Sequence, residues 1–362
     1  MLVYLSEKYV ANLSFLNLFN YITFRTGAAI LTSLFFSLIF GNLIIKYLSS
    51  FQPAGQPIRL DGPERHIIEK AGTPTMGGLL ILASFFISVL VWGNLNNNFI
   101  WIGLLSCFLF GLIGFIDDYK KIYETNNKGL KASTRIIFQL ISSSIIIYLI
   151  YKYLPSNINT TINFPFFKNI LVDLGYFFFP FGIILLIGTA NAVNLTDGLD
   201  GLAIVPVMIV ALSFGFISYL VGNTIFSNYL QIQYIEGTGE LAILCGALVG
   251  SALGFLWFNA PPAKVFMGDT GSLSMGGVLG SLSLMTKHEI VLAITGGLFV
   301  LETLSVLIQV VSYKLTGKRI FQMAPLHHHF EKKGWAESTI VIRFWIITIV
   351  LALIGLATLK IR

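Results

Sequence analysis

The sequence predicts an all-α polytopic integral membrane protein, and three observations carry that prediction. Of 362 residues, 55% are hydrophobic and only 11% charged, where soluble chains average about 25% charged. Mean hydropathy is +0.80. Apolar runs of about 17 residues or more recur along the chain, the length a helix needs to cross a bilayer. Strand-like alternation is absent over most of it, which argues against an outer-membrane barrel.

Ten transmembrane helices are expected, at 24–47, 75–93, 99–116, 134–152, 174–191, 202–221, 239–257, 270–286, 289–312 and 340–359. Trp92, Trp101, Trp257 and Trp345 fall near span ends, where an aromatic belt sits. With both termini outside (periplasmic), 16 of the 23 basic residues lie in cytoplasmic segments or the span ends beside them, as the positive-inside rule requires. The net charge of +6 is therefore topogenic, and no nucleic-acid partner is expected. The outer segment from Tyr153 to Asp173 carries Ile158-Asn-Thr-Thr-Ile-Asn-Phe, which predicts a short β-hairpin near 157–168. Cys107 and Cys245 lie inside spans and read as small core residues. Met1–Asn20 lacks the basic start and cleavage site of a signal peptide. No internal repeat and no second soluble domain is visible, so 1–362 reads as a single membrane domain.

This topology places five polar loops, 48–74, 117–133, 192–201, 258–269 and 313–339, on the cytoplasmic side. The first runs through Lys70 into Gly72-Thr-Pro-Thr75. A lysine and threonines at a helix start suit an anion, although an ordinary capped helix start explains them too. At the second, Asp117 and Asp118 close an apolar run and precede Lys120, Lys121, Lys128 and Lys131. Adjacent helical side chains point about 100° apart, so one carboxylate can face a metal or phosphate while the other faces a proton or a lysine. Ionisable groups at such a place are a functional hypothesis by default.

The third loop carries Asn194, Asp197 and Asp200 at i, i+3 and i+6 with no basic residue beside them. On a helix they would share a face and need a metal or a donor-rich ligand. In the fourth, Asp269 can cap the following span, Gly268 and Gly271 allow close backbone approach, and Lys264 supplies charge. The last holds His327, His328 and His329. A contiguous triplet fits zinc poorly and suits hydrogen bonding to phosphate or hydroxyl groups. Glu302 and Gln309, seven apart in the ninth span, would face one cleft.

Five stretches in order are Gly72-Thr-Pro-Thr-Met-Gly-Gly78, Phe115-Ile-Asp-Asp-Tyr119, Asn194-Leu-Thr-Asp-Gly-Leu-Asp-Gly201, Phe266-Met-Gly-Asp-Thr-Gly271 and Met323-Ala-Pro-Leu-His-His-His-Phe-Glu331. Together they resemble the bacterial phospho-N-acetylmuramoyl-pentapeptide transferases, within the polyprenyl-phosphate N-acetylhexosamine-1-phosphate transferase superfamily. The resemblance covers essentially the whole chain. The histidine triplet after Ala-Pro and the Gly-Thr-Pro-Thr-Met-Gly-Gly stretch look closer to this branch than to the GlcNAc-1-phosphate branch.

The resemblance implies transfer of phospho-MurNAc-pentapeptide from UDP-MurNAc-pentapeptide to undecaprenyl phosphate, giving lipid I and UMP, with Mg²⁺ required. It implies Asp269 as metal ligand, Asp117 as base on the lipid phosphate, and Asp118 supporting substrate or metal. It implies Lys70, Thr75, Asn194, Asp197, Gly198, Leu199, Asp200 and Phe266 at the nucleoside end. Asn259, Gln309, His327, His328 and His329 would line the cleft, Lys121 and Lys131 would contact phosphates, and the protein would be a homodimer in the inner membrane. Two rivals stand beside this reading. A sibling transferase would use another UDP-amino sugar. A secondary transporter would hold its acids near the bilayer midplane, where only Glu302 falls.

Overall fold

The computed structural model describes residues 2–9, 14–53, 55–56, 72–124, 129–165 and 171–360. Lys70 and Lys128 lie outside them. The chain is helical almost throughout. A short helix α1 (Leu2–Tyr9) and a 3-10 turn (Ser14–Asn20) lead into α2 (Ile22–Phe51), α3 (Gly78–Trp92), α4 (Asn98–Tyr123) and α5 (Ala132–Tyr153). A strand pair, β1 (Thr161–Asn163) and β2 (Leu171–Asp173), separates these from α6 (Phe178–Thr196), α7 (Ile204–Val221) and the short α8 (Thr224–Leu230). Then come α9 (Leu241–Asn259), α10 (Gly268–Thr286), α11 (Glu289–Thr295), α12 (Gly297–Thr316), α13 (Leu326–Lys332) and α14 (Glu337–Ala357).

Every expected span has a helix at its place. Among the described residues eight helices are long and apolar enough to cross a membrane, namely α2, α4, α5, α6, α7, α9, α12 and α14. At 15 residues, α3 is apolar but shorter. Rich in glycine and serine, α10 lies wholly inside the bundle, with every residue from Thr270 to Thr286 buried. The ninth expected span, 289–312, is two helices. The chain breaks at Gly296 between α11 and α12, because an apolar run with paired glycines keeps its hydropathy while losing helix propensity. The expected hairpin is an antiparallel pair, Ile162 opposite Val172, but its second strand lies beyond 168.

Packing follows side-chain size. In lipid, helices associate where small residues let backbones approach. On α9, Gly246, Gly250 and Gly254 meet Thr26, Ile30, Ser33 and Ser37 of α2, where an added Cβ would collide. The outer faces of α2 (Leu31, Phe35, Ile39, Leu43) and α12 (Leu304, Leu307, Ile308, Val311) are exposed and apolar. Cys107 and Cys245 are buried and unpaired, as expected. The helix ends around the acids converge at one end of the bundle: the last two turns of α4, the first turns of α5 and α10, and the end of α6.

Candidate active site

Asp117 and Asp118 sit in the penultimate turn of α4, both 2% exposed. Helical geometry sends them to different partners. Asp118 faces α10 and accepts the N–H groups of Asp269 (3.1 Å) and Thr270 (2.9 Å) and the Thr270 hydroxyl (2.7 Å). Those amides are among the first donors of α10, which have no partner within their own helix. The cap of α10 is therefore Asp118, reaching across from α4, and not Asp269 as the sequence suggested. Gly268 makes this possible: its φ is +72°, and a Cβ there would come within 2.6 Å of Asp118 and 2.7 Å of the Thr75 hydroxyl.

Asp117 points the other way. Its Oδ1 accepts the Leu130 N–H at 2.8 Å, and its Oδ2 lies 2.6 Å from Lys121 Nζ, one turn on. Asp269 completes the group. Ligand oxygens of Asp117, Asp118 and Asp269 all lie within 4.8 Å of one another. Asp269 Oδ2 accepts from Lys121 (3.1 Å) and from Arg135 (3.0 Å), and Oδ1 accepts from the Asn194 amide at 2.7 Å. Arg135 also donates to Asn191 and Asn194 at 3.2 and 3.1 Å.

Among the described residues three carboxylates thus meet two cations, Lys121 and Arg135. Like charges this close stand apart only where something balances them. Carboxylate oxygens without sulfur or nitrogen donors are the set a hard divalent cation takes, so the residues present fit such an ion.

Arg135 was not singled out in the sequence. Lys131, which was, is exposed at the start of α5; the residue one helical turn further on reaches Asp269. The signal was available in the i+4 spacing, but the sequence does not say which face of α5 looks inward.

The remaining expected residues divide. Thr75 is buried beside Gly268, its backbone held by Gln52 through two hydrogen bonds. Phe266 lies on a stretch paired with the start of α3, donating to Pro74 O and accepting from Gly77 N. Asn194 is in the carboxylate cluster. Asp197 and Asp200 do not share its helical face, because α6 ends at Thr196 and the chain turns through Gly198 to Gly201. Asp200 accepts the Ala263 N–H at 3.0 Å, and Asn259 accepts the Gly201 N–H at 3.0 Å while donating to Val265 O. Both clamp one loop to another. Leu199 is buried in a small apolar cluster with Leu202, Leu298, Ile340 and Phe344.

Gln309 holds backbone too: it accepts the N–H groups of Ile320 and Phe321 and donates to Phe321 O. The three histidines are not equivalent. His327 is fully buried. His328 Nδ1 lies 2.6 Å from Glu331, and His329 Nδ1 accepts the Gln322 N–H at 3.1 Å. Partial burial, and Lys333 beyond it, push the His329 imidazole below its ordinary value.

Sequence profiles and relatives agree with one another. The profile described as Glycosyl transferase family 4 matches residues 100–287. A profile described as Phospho-N-acetylmuramoyl-pentapeptide-transferase signature 1 matches residues 70–82. A phospho-N-acetylmuramoyl-pentapeptide-transferase of Pelagibacter ubique (strain HTCC1062) is 58% identical over 362 residues, covering all of both chains. Proteins of the same name from Rickettsia felis and Rickettsia prowazekii are each 58% identical over 363 residues, again covering both chains in full.

Proposed function

Starting from the premise that the chain belongs to the phospho-N-acetylmuramoyl-pentapeptide-transferase family, we propose that it transfers phospho-MurNAc-pentapeptide from UDP-MurNAc-pentapeptide to undecaprenyl phosphate. The products are lipid I and UMP. The observation that carries the chemistry is the carboxylate trio against Lys121 and Arg135 at the end of an apolar bundle. A soluble, anionic donor and a membrane-borne phosphate acceptor must meet at the bilayer surface, beside fixed positive charge.

Phosphoryl transfer of this kind asks for charge neutralisation and in-line placement more than for covalent help. A lipid-phosphate oxygen forms a bond to the sugar-bearing phosphorus. The bond from that phosphorus to the bridging oxygen breaks, and UMP leaves with the electron pair. Asp117 accepts the proton of the lipid phosphate. Lys121 and Arg135 balance charge on the diphosphate. Asp118 holds the start of α10, and so Asp269, in place. Mg²⁺ would be held by Asp269 with Asp117 beside it, and would neutralise the diphosphate and the departing oxygen. Direct attack is preferred to a phospho-aspartate intermediate because Asp117 already has a use as base.

The topology belongs to the same reading: ten crossings in one domain, 1–362, both termini outside, the site facing the cytoplasm of the bacterial inner membrane, and a homodimer. The basic residues support the orientation, 16 of 23 lying in the segments so placed inside or at the span ends beside them.

The test is UMP release by purified, detergent-solubilised protein given both substrates and Mg²⁺. Release that needs the lipid and is abolished by EDTA is expected. Release from UDP-GlcNAc alone would move the chain to the sibling branch, and no release from a folded sample would overturn the proposal.

A further inference from the structure

The apolar helix α12 carries one wholly buried carboxylate, Glu302. An acid inside a membrane helix is costly unless donors surround it, and two backbone amides do, with a ring nitrogen close by. The Leu326 N–H lies at 2.7 Å, the His327 N–H at 3.2 Å and the His327 ring Nδ1 at 3.3 Å. The first two are opening amides of α13, which has no side-chain cap of its own. Glu302 thus supplies the missing cap from another helix, and through the His327 N–H it holds the backbone that carries a buried imidazole.

The other nitrogen, Nε2, sits over Gly198, where any Cβ would collide with it. Gly198 lies four residues after Asn194, in the turn that follows the end of α6 at Thr196. Asn194 in turn joins Asp269 to Arg135. A continuous set of contacts therefore runs from Glu302 through His327 and the Gly198 turn to the carboxylate cluster.

We infer that Glu302 is a positioning residue for the nucleotide end of the site, acting through His327 seated on Gly198. This rests on the reaction proposed above, with the nucleoside end of the donor at Asn194 to Asp200 as the resemblance implies. Glu302 touches no reacting atom in this account. It sets the height of the His327 ring against the turn.

Glu302→Gln keeps the size but turns one acceptor into a donor facing the α13 amides. The KM for UDP-MurNAc-pentapeptide is expected to rise at least about tenfold while kcat stays within about threefold, and UMP affinity falls by the same factor as KM rises. Because Glu302 acts through His327, the double variant Glu302→Gln with His327→Asn is no weaker in UMP binding than His327→Asn alone. Multiplying effects in that cycle, or an unchanged KM with only a lower yield of folded protein, would overturn the inference. Should Glu302→Gln fail to fold, Gly198→Ala unseats His327 without touching Glu302, and the same rise in KM is expected; an unchanged KM overturns the inference. UMP binding is scored without turnover. A wild-type protein that binds UMP yet makes no lipid I would therefore count against the proposed reaction and not against Glu302.

Discussion

The two ends of the bundle both bury charge, and they do it differently. At the end where α2 and α9 begin, Arg25 and Glu240 form a two-pronged pair, 2.8 and 2.6 Å, with side chains 4% and 10% exposed. Glu240 also accepts the Asn94 N–H, and Arg25 also donates to Trp92 O. In that pair each charge meets its opposite, and it ties α2 to α9 and to the end of α3. At the other end three aspartates meet two cations among the described residues, and Lys121 and Arg135 remain about a fifth exposed. Burial of charge alone therefore does not mark a site. What marks it is imbalance combined with partial access.

Substitutions that separate the two ends sharpen the comparison. Asp117→Asn and Asp269→Asn are each expected to lower turnover by about a thousandfold or more, because they remove transition-state charge balance, while leaving the protein folded. Asp118→Asn abolishes turnover as well and, as the cap of α10, is the most destabilising of the three. Near-normal UMP release from any of them would remove that residue from the mechanism. Arg135→Ala is expected to cost about a hundredfold, measured as kcat/KM for UMP release. Arg25→Ala is the mirror experiment. It leaves a buried carboxylate unpaired, which costs about 3–5 kcal/mol of stability, and turnover per folded molecule is unchanged. A turnover loss at constant thermal stability would show that the outer pair is not merely structural. The smallest effect belongs to Lys131→Ala, expected within about threefold of wild type, since exposed charges contribute little. A loss equal to that of Arg135→Ala would mean that Lys131 takes a phosphate in the working complex.

Much of this was legible in the sequence, and the failures have physical causes. Hydropathy located every described helix long enough to cross a membrane, because lipid demands apolar length and little else, but it left the short α1, α8 and α13 unseen. It could not see the break at Gly296, since two glycines leave an apolar run apolar. The adjacency of Asp117 and Asp118 predicts different partners, and the two have them, because adjacent residues on a helix diverge. Asn194, Asp197 and Asp200 look like one helical face, but α6 ends at Thr196, and it is Asn194 that bonds Asp269. Arg135 escaped notice because its charge became meaningful only when α5 and α10 met. Glu302 and Gln309 were rightly placed on one side of α12, yet both hold the histidine loop by its backbone.

The carboxylates of Asp117, Asp118 and Asp269 are expected to hold a divalent cation. Mn²⁺, read by electron paramagnetic resonance, is a direct probe of it. The account predicts about one Mn²⁺ per chain, displaced by Mg²⁺, undiminished in Arg25→Ala and lost in Asp269→Asn. Undiminished binding in the folded Asp269→Asn variant would contradict it.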